Sequence, residues 1–400
     1  MMNVGKALSN FGYLRVFESV ARLNSVSRAS SDLGLTQPAV SQAIAKIEDA
    51  VETRLFERNA TGCRLNEPGE ILRRRVHRFF SQMEEALQTL LHDEPRVDLR
   101  SVRRNLTGTH VRNVITLMNE SRTRSIDDNV ISSGSLRRSV RDLEGLVQRK
   151  LVLRTATGIT PTPEGKEFSR RLQLALREME FGVEEVKAAA QTICARIAIG
   201  CLPLANARIL ARALNDLLSK QPATKTLIYE APYPSLLENL RSGAIDFIYG
   251  ILRQADETGD IVEETLFQDP YAIAVRPGHP LLGKPKIRTA DLAEFDWIMA
   301  SVGPRRRYFE ELFKNAKCRM PSVMIETVSL NTQRAILLTS DRLSLLTVSE
   351  IEAENEGKGL VALPYSLPRI LRPHGVTTRA NWEPTKTHLE FLDLLRTHSG

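Results

Sequence analysis

The chain repeats part of its own sequence at an offset of 96 residues. Residues 57–70 read ERNATGCRLNEPGE, and residues 153–166 read LRTATGITPTPEGK. Across residues 40–70, eight positions are identical to those 96 residues later, where about two identities would be expected from ordinary residue frequencies. The identical pairs are Glu48/Glu144, Val51/Val147, Leu55/Leu151, Arg58/Arg154, Ala60/Ala156, Thr61/Thr157, Gly62/Gly158 and Gly69/Gly165. The chain therefore contains two copies of one structural unit.

The sequence of each copy predicts an amphipathic helix followed by a pair of strands. Apolar residues recur at i, i+4, i+7 and i+11 in both copies, which is the spacing of one helix face. They are Val40, Ile44, Ile47 and Val51 in the first copy and Leu136, Val140, Leu143 and Val147 in the second. The segments RLFERNATGCRL and KLVLRTATGITP then place extended residues around a glycine turn, a pattern that favours a two-stranded wing.

A shorter helix and a tight turn precede the amphipathic helix of the first copy. In SVSRASSDLGLTQPAVSQAI the turn falls at Gly34 and Thr36 is a suitable N-cap. Pro38 is tolerated in the first turn, because its missing N–H would be unpaired there anyway. The second copy, TRSIDDNVISSGSLRRSV, follows this plan with one residue fewer at the turn and Ser132 or Ser133 as the cap. The sequence thus predicts two winged helix-turn-helix units.

The segment SRASSDLGLTQPAVSQAIAKIEDAVETRLFERNATGCRLNEPGE (residues 27–70) resembles the DNA-binding head of a LysR-type transcriptional regulator. Members of that family normally carry one head, so the second copy is a departure. The resemblance implies a winged helix-turn-helix over residues 9–67, a linker helix over 68–95, a second winged helix-turn-helix-like domain over 105–162 and a second linker helix over 163–194. In this family linker helices pair two subunits, which implies a homo-oligomer, either a dimer or a tetramer. The alternative is that each long helix packs within its own chain.

The residues that face outward from each predicted reading helix are suited to DNA. Glutamine can pair with adenine, serine and threonine can serve several bases, and arginine can bind phosphate or guanine. In the first head these residues are Thr36, Gln37, Pro38, Ser41 and Gln42, with Lys46, Arg54, Arg58 and Arg64 as phosphate contacts. In the second head they are Ser133, Arg137, Arg138, Arg141 and Arg154. The alternative for the second copy is a degenerate head kept for dimerisation or packing, with its arginines solvated.

From Arg196 onward, short apolar strands alternate with helices: RIAIG, ARILARALNDLLSKQ, TLIYEA, SLLENLRSG and IDFIYG. This alternation predicts a parallel sheet flanked by helices, and hence an α/β multidomain chain. The region resembles the effector domain of LysR-type regulators, which is built like a periplasmic binding protein from two lobes around a cleft. The resemblance implies an effector-binding domain over residues 195–400, with lobe I at about 195–266 and 364–400 and lobe II at about 267–363.

A cleft of this kind lies where strand ends meet helix N-termini, whose unpaired N–H groups favour anions. We therefore expect a small effector, an organic acid or a sugar-derived compound, whose identity the sequence does not reveal. The expected contacts are Leu204, Ala205, Ser301 and Ser329, with Thr347 opposite. Arg305, beside Arg306, is expected to clamp a carboxylate; the alternative is a surface charge on a loop.

No pattern in the sequence is typical of an active site. The chain has no G-x-S-x-G, P-loop, G-x-G-x-x-G or H-E-x-x-H motif, and its four cysteines and seven histidines lack metal-ligand spacing. We therefore expect no catalytic residue, no metal site and no cofactor.

The net charge of +7 suits a polyanionic partner such as double-stranded DNA. No run is long and apolar enough for a membrane helix or a signal peptide, so we expect a cytoplasmic protein without a membrane partner. The leading hypothesis is a ligand-responsive transcription regulator that binds double-stranded DNA and affects RNA polymerase indirectly. The alternative is a ligand-binding or scaffolding protein whose heads serve assembly.

Overall fold

A computed structural model describes most of the chain. The described residues are 8, 10–59, 62–93, 97–123, 134–155, 158–189, 195–202, 206–253, 259–301, 303–327, 329–352, 359–367 and 372–400.

Residues 11–91 form unit 1, a helical bundle with a two-stranded wing and a long final helix. Its elements are α1 (Phe11–Leu23), α2 (Val26–Leu33), α3 (Gln37–Val51), β1 (Phe56–Asn59), β2 (Gly62–Leu65) and α4 (Glu67–Leu91). The predicted turn between α2 and α3 is present. Gly34 adopts a φ of 65°, which glycine reaches without steric cost, and the Thr36 hydroxyl accepts a hydrogen bond from the Ala39 backbone N–H at 3.4 Å. The helix-turn-helix of the first copy therefore forms where the sequence predicts it.

Residues 108–189 form unit 2, which follows a short helix, α5 (Leu99–Asn105). Its elements are α6 (Gly108–Thr123), α7 (Gly134–Val147), β3 (Val152–Thr155), β4 (Gly158–Pro161) and α8 (Pro163–Ala189). The two wing strands and the start of α8 each lie 96 residues after their counterparts in unit 1. The predicted second turn, with its cap at Ser132 or Ser133, lies outside the described residues.

The two units also share their internal contacts. In each unit a buried glutamate on the amphipathic helix accepts the backbone N–H of the leucine before the wing and pairs with the preceding cation. The contacts are Glu48 with Leu55 (2.8 Å) and Arg54 (3.1 Å) in unit 1, and Glu144 with Leu151 (2.8 Å) and Lys150 (3.0 Å) in unit 2. The repeat therefore extends from sequence to element positions and to individual hydrogen bonds.

Gly69 and Gly165 are equivalent residues in the first turn of α4 and α8. A Cβ added to either would lie 2.2 Å from a backbone carbonyl oxygen, that of Leu55 or of Leu151. We expect Gly69→Ala and Gly165→Ala each to lower the thermal unfolding midpoint measured by calorimetry, because such overpacking costs roughly 1–3 kcal/mol or more. In the control Gly145→Ala, the new Cβ meets nothing within 4 Å, so we expect a gain of about 0.5–1 kcal/mol from helix propensity. Unchanged midpoints for both clashing variants would contradict this packing.

The long helices α4 and α8 pack against each other within the chain and bury equivalent apolar stripes. The equivalent buried pairs are Leu72/Phe168, Val76/Leu172, Phe79/Ala175, Met83/Met179, Leu87/Val183 and Leu90/Val186. All these residues belong to one hydrophobic core that spans both units. In this structure the alternative of the sequence analysis is therefore the one seen: each long helix packs within its own chain, against the other.

The C-terminal half alternates strands and helices. Its elements are β5 (Arg196–Cys201), α9 (Ala207–Lys220), β6 (Lys225–Glu230), α10 (Tyr233–Ser242), β7 (Phe247–Ile251), β8 (Ile261–Gln268), β9 (Tyr271–Val275), a 3₁₀ turn (Pro280–Gly283), α11 (Thr289–Leu292), β10 (Trp297–Met299), α12 (Pro304–Asn315), β11 (Val323–Glu326), α13 (Leu330–Leu338), β12 (Leu343–Thr347), α14 (Val348–Glu352), β13 (Val361–Ala362), β14 (Pro373–Arg379) and α15 (Lys386–Ser399). No described helix is both long enough and apolar enough to cross a membrane.

These strands form two five-stranded sheets, one in each lobe. The lobe I sheet has the order β6-β5-β7-β14-β8, and the lobe II sheet has the order β11-β10-β12-β9-β13. The prediction of a parallel sheet is right for β6, β5 and β7 and for β11, β10 and β12, whereas β14 and β9 run antiparallel to their neighbours. Both sheets are therefore mixed, because the chain crosses between the lobes and returns.

The sequence analysis put the crossings between the lobes at about residues 266 and 364; the first lies close to that position, and the second lies later. The chain belongs to the lobe I sheet up to Gln268, the last residue of β8. It returns to that sheet at Pro373, the first residue of β14. Tyr365 and Leu367 still pack against the lobe II core. Apolar strands of the two lobes look alike in sequence, so a strand can be assigned to one lobe or the other only from its pairing in a sheet.

Candidate DNA-binding heads and effector cleft

The outward face of α3 carries the polar residues expected to read DNA. Thr36, Gln37, Pro38, Gln42 and Lys46 are exposed and Ser41 is half-buried. On the opposite face of the helix Val40, Ala43, Ile44 and Ile47 are buried. The Gln37 side-chain amide donates to the Ser27 hydroxyl on α2 at 3.2 Å, which ties the start of the reading helix to the preceding helix.

The expected phosphate contacts of unit 1 lie around its wing. Arg54 and Arg64 are exposed. Arg54 is oriented by its ion pair with Glu48, the glutamate that also caps the wing. The side chain of Arg58 lies outside the described residues.

The exposed face of α7 carries three arginines at positions where α3 has uncharged residues. Arg137, Arg138 and Arg141 are exposed there, at the positions equivalent to Ser41, Gln42 and Ala45. The guanidinium of Arg141 donates to the Arg137 carbonyl oxygen at 3.4 Å, so these side chains lie on one turn. Ser133 and the side chain of Arg154 lie outside the described residues. Arginine at these positions suits phosphate or guanine rather than adenine.

Three of the expected effector contacts lie at one edge of the lobe II sheet. Ser329, Ser301 and Thr347 come at or after the carboxyl ends of the adjacent parallel strands β11, β10 and β12. Ser301 is exposed, and Ser329 caps α13 by accepting the Thr332 N–H at 3.3 Å. Thr347 is fully buried, and its N–H donates to Glu350 at 2.8 Å. Leu204 and Ala205, expected on the lobe I side, lie outside the described residues.

Arg305 is not the free carboxylate clamp that the sequence analysis expected. It lies in the first turn of α12, is buried, and donates to both carboxylate oxygens of Glu350 at 2.8 and 3.0 Å. Its guanidinium also lies 5.7 Å from the ring centre of Tyr271. The charge of Arg305 is therefore matched inside the protein, and its Nη1 has no hydrogen-bond partner among the described residues.

A buried histidine lies where the two crossings run side by side. The Asp269 N–H donates to the Arg372 carbonyl at 2.9 Å, and His374 Nε2 lies 3.7 Å from the Asp269 carboxylate. Burial lowers the pKa of His374 to about 4, against the opposing charge of Asp269, and Arg305 and Arg372 lower it further. Neither ring nitrogen of His374 has a hydrogen-bond partner among the described residues. The hinge between the lobes thus contains a neutral imidazole, and both of its ring nitrogens could still form hydrogen bonds.

Lobe I is joined to α8 by a buried charge cluster. The Arg177 guanidinium donates to Asp246 at 3.3 Å, and Asp246 accepts the Ala198 N–H at 2.7 Å and lies 3.1 Å from His388. Burial alone would raise the pKa of Asp246, but His388, Arg177 and the Ala198 N–H hold it well below the usual range. The cluster fixes lobe I to the second long helix.

Lobe I also contacts α4. Arg74 and Arg78 pair with Glu383 at 3.1 and 3.3 Å, and Arg78 donates to the Asn381 carbonyl at 2.6 Å. Both long helices therefore touch the same lobe.

Two family models match the chain. One, described as the LysR substrate binding domain, matches residues 190–400, and the other, described as a bacterial regulatory helix-turn-helix protein of the lysR family, matches residues 11–70. The chain belongs to the LysR family. It is a DNA-binding transcription regulator with a C-terminal effector-binding domain. Neither match covers residues 71–189, which contain unit 2.

Curated relatives of this LysR-family regulator differ in how much of it they cover. The HTH-type transcriptional regulator GalR of Pseudomonas putida is 29% identical over 374 residues, 93% of each chain. The HTH-type transcriptional regulator PcaQ of Agrobacterium fabrum is 27% identical over 275 residues, 87% of that protein but 68% of this one. Among solved structures, full-length OxyR from Pseudomonas aeruginosa has a TM-score of 0.51 at 20% identity, covering 72% of this chain and 97% of that one. That likeness concerns the fold alone.

Sequence reasoning missed the charge clusters of this regulator. His374 and His388 each lie beside an aspartate that is more than 100 positions away in sequence, so ligand spacing could not reveal them. One signal was available for the helix pair. Arg75 falls on the apolar stripe of α4, three residues after Leu72 and four before Phe79, where a charge requires a buried partner.

Proposed function

We propose that both units of this regulator bind double-stranded DNA as winged helix-turn-helix heads. The observation that supports the second head is that unit 2 repeats the wing, the long helix and the buried glutamate contacts of unit 1 at a constant offset. Both units also expose their reading-helix residues to solvent. Dimerisation or packing alone would not require that exposed face to be cationic in unit 2.

The two heads would use different chemistry on DNA. In unit 1, Gln37, Ser41 and Gln42 read base edges, Thr36 and Pro38 set the entry of the helix, and Lys46, Arg54, Arg58 and Arg64 hold phosphates. In unit 2, Arg137, Arg138 and Arg141 bind guanine or phosphate, with Ser133 as the cap and Arg154 on the wing. Unit 2 would thus supply affinity at three positions where the reading helix of unit 1 has uncharged residues.

In this proposal the effector is a small anionic organic acid or sugar-derived compound that binds between the lobes. Leu204 and Ala205 approach it from lobe I and Ser301, Ser329 and Thr347 from lobe II, with Arg305 contributing its unpartnered Nη1. His374 is an additional contact suggested by its unsatisfied ring nitrogens. An effector regulates only if it prefers one lobe arrangement. A change in that arrangement reaches DNA through the contacts of lobe I with α4 and α8.

The remaining parts of the proposal follow from the DNA-binding role. The regulator works in the cytoplasm, where bacterial DNA lies, as a homo-oligomer, dimeric or tetrameric, and acts on RNA polymerase indirectly. It binds no cofactor or metal.

The test is fluorescence anisotropy on duplexes selected from a random library with the full chain, measured across a salt series. We expect Gln42→Ala to reduce discrimination against a mutated site by about 1–3 kcal/mol and to leave the salt slope unchanged. We expect Arg137→Ala with Arg138→Ala to weaken binding to all sequences and to flatten the slope of log K against log salt by up to about 1.8, or 0.9 for each lost phosphate contact.

The charge-matched control is Arg208→Ala with Arg212→Ala, which removes two exposed cations from α9 in lobe I. It should leave the slope unchanged. If the slope of log K against log salt is the same in both double variants, unit 2 does not contact DNA. Absence of any selected sequence would favour a role of the heads in assembly.

A further inference from the structure

The pairing of α4 with α8 is antiparallel. In the first half of α4, Arg74 and Arg75 reach Glu185 at 3.8 and 2.7 Å, and Arg75 also reaches Glu178 at 2.8 Å. Further along the helix, Arg78 and Gln82 donate to Glu178 at 3.2 and 3.3 Å. As the residue number rises along α4, the number of its partner on α8 falls.

The contact between Gln82 and Glu178 locates a symmetry axis. These two residues occupy equivalent positions in the repeat, because 82 plus 96 is 178. In an assembly of two like units related by a twofold axis, a residue near the axis meets its own counterpart. Equivalent residues meeting midway along an antiparallel pair therefore indicate a twofold relation between unit 1 and unit 2.

Contacts at the far ends of the pair have the same relation. Glu52, just after α3, pairs with Lys187 near the end of α8 at 2.6 Å. Arg149, just after α7, lies 4.0 Å from Asp93, just beyond the end of α4. Exchange of the two units converts the first contact into the second to within two residues. In each unit a residue just after the reading helix therefore contacts the last turn of the other unit's long helix or a residue just beyond it.

We infer that one chain is a covalently joined twofold pair of heads that occupies two inverted DNA half-sites by itself. This inference rests on the proposed function of unit 2. The apolar stripes of α4 and α8 are buried against each other within the chain. No second chain is therefore needed to pair the heads. Oligomers of the protein form through other surfaces, and each added chain brings two heads.

The inference also specifies the operator. Two heads related by a twofold axis read half-sites in opposite orientation, about one helical turn apart. The heads differ at their reading positions, with Ser41 and Gln42 in one and Arg137 and Arg138 in the other. The two half-sites therefore differ: one is read by glutamine, which suits adenine, and the other by arginine, which suits guanine. The operator is an imperfect palindrome with a fixed polarity.

Cross-linking of the full chain tests the internal pair without DNA. We expect Gln82→Cys with Glu178→Cys, treated with a short bis-maleimide, to form a cross-link that leaves the mass of one chain on a denaturing gel. Gln82→Cys alone is the decisive control. If α4 paired with α4 of a second chain, residue 82 would meet its own copy near the axis, and the single variant would yield a product of two chains.

Two further samples make the cross-linking result clear. The unsubstituted chain, with its four native cysteines, sets the background. Gln82→Cys with Leu174→Cys links two residues that line the same cavity, which is bounded by α4, α8 and lobe I. This variant keeps Glu178 in place, in case its loss unfolds the pair. A product of two chains from the single variant, or no intrachain product from either double variant, overturns the internal pair.

Counting half-sites tests the operator. Mass photometry on the library-selected duplex gives the number of bound chains, and hydroxyl-radical footprinting of the same complex gives the number of protected half-sites. We expect two half-sites for each chain and unlike sequences in the two halves. One half-site per chain, or identical halves, overturns the inference, whereas the absence of any selected duplex overturns the proposed function and leaves the cross-linking result standing.

Discussion

Replacing Arg75 by methionine is expected to lower the stability of the helix pair by about 3–5 kcal/mol, the usual loss when one partner of a buried ion pair is removed. Arg75 is 0% exposed and lies between two acids of α8, Glu178 at 2.8 Å and Glu185 at 2.7 Å. It also donates to the Glu383 carbonyl of lobe I at 3.1 Å. Methionine fills much of the space but leaves two carboxylates buried without this cation.

The repeat supplies a matched control for Arg75→Met. Arg171 is the equivalent residue of unit 2, since 75 plus 96 is 171. It is partly exposed and pairs with Glu167 on its own helix at 2.7 Å. Ion pairs of that kind contribute about 0.3–0.5 kcal/mol, so Arg171→Met should leave the thermal transition nearly unchanged.

Calorimetry of the full chain measures the effect as a shift of the transition that contains α4 and α8. A loss of 3–5 kcal/mol corresponds to a midpoint lower by roughly 10 °C for a unit of this size. If Arg75→Met and Arg171→Met lower the unfolding midpoint equally, stability depends on the position of the residue on its helix and the buried ion cluster contributes nothing. The comparison therefore separates the asymmetric cluster from the symmetric apolar stripe.

The parts of the structure that depend on local sequence could be predicted. The turn at Gly34, the cap at Thr36 and the wing around the Ala-Thr-Gly motif are set by residues within a few positions of one another. The constant offset of 96 residues then allowed the same elements to be predicted in unit 2. The wing and long helix of unit 2 lie at that offset.

The parts that depend on distant residues could not be predicted. An apolar stripe such as that of α4 shows that a helix has a partner but not whether the partner belongs to the same chain. The clusters around Arg75, Asp246 and His374 join residues roughly 70 to 310 positions apart. Arg305 illustrates the same limit, because the acid that neutralises it, Glu350, follows 45 residues later in another helix.

Replacing Glu184 by glutamine is expected to stabilise the protein above pH 7 by about 3 kcal/mol, an unusual direction for a change in a buried charge cluster. Glu184 lies on α8, is 3% exposed, and its Oε1 has no hydrogen-bond partner among the described residues. Burial raises the pKa of Glu184 to about 7. Asp246 and Glu180 add to this effect, and Arg177 and Arg196 oppose it.

The sign of the pH dependence follows from these pKa values. The unfolded chain ionises Glu184 near its ordinary value of 4.5, whereas the folded protein holds the proton until about pH 7. Between these limits unfolding releases a proton, so the stability falls as the pH rises and then becomes constant. Glutamine imitates the protonated form at every pH. The variant should therefore match the parent near pH 4.5 and exceed it progressively up to about pH 7.

Unit 1 indicates why the acid is present in only one copy. The residue equivalent to Glu184 is Gln88, which is exposed on α4. Among the residues that the structure describes, α8 alone meets lobe I at this position, where Arg177 links the helix to Asp246. Glu180→Gln is the control, because Glu180 pairs directly with Arg177 at 2.6 Å, so its loss should destabilise the protein over the whole range. Thermal unfolding midpoints of both variants from pH 5 to pH 8 decide the matter: a Glu184→Gln curve parallel to that of the parent would mean that Glu184 is ionised throughout.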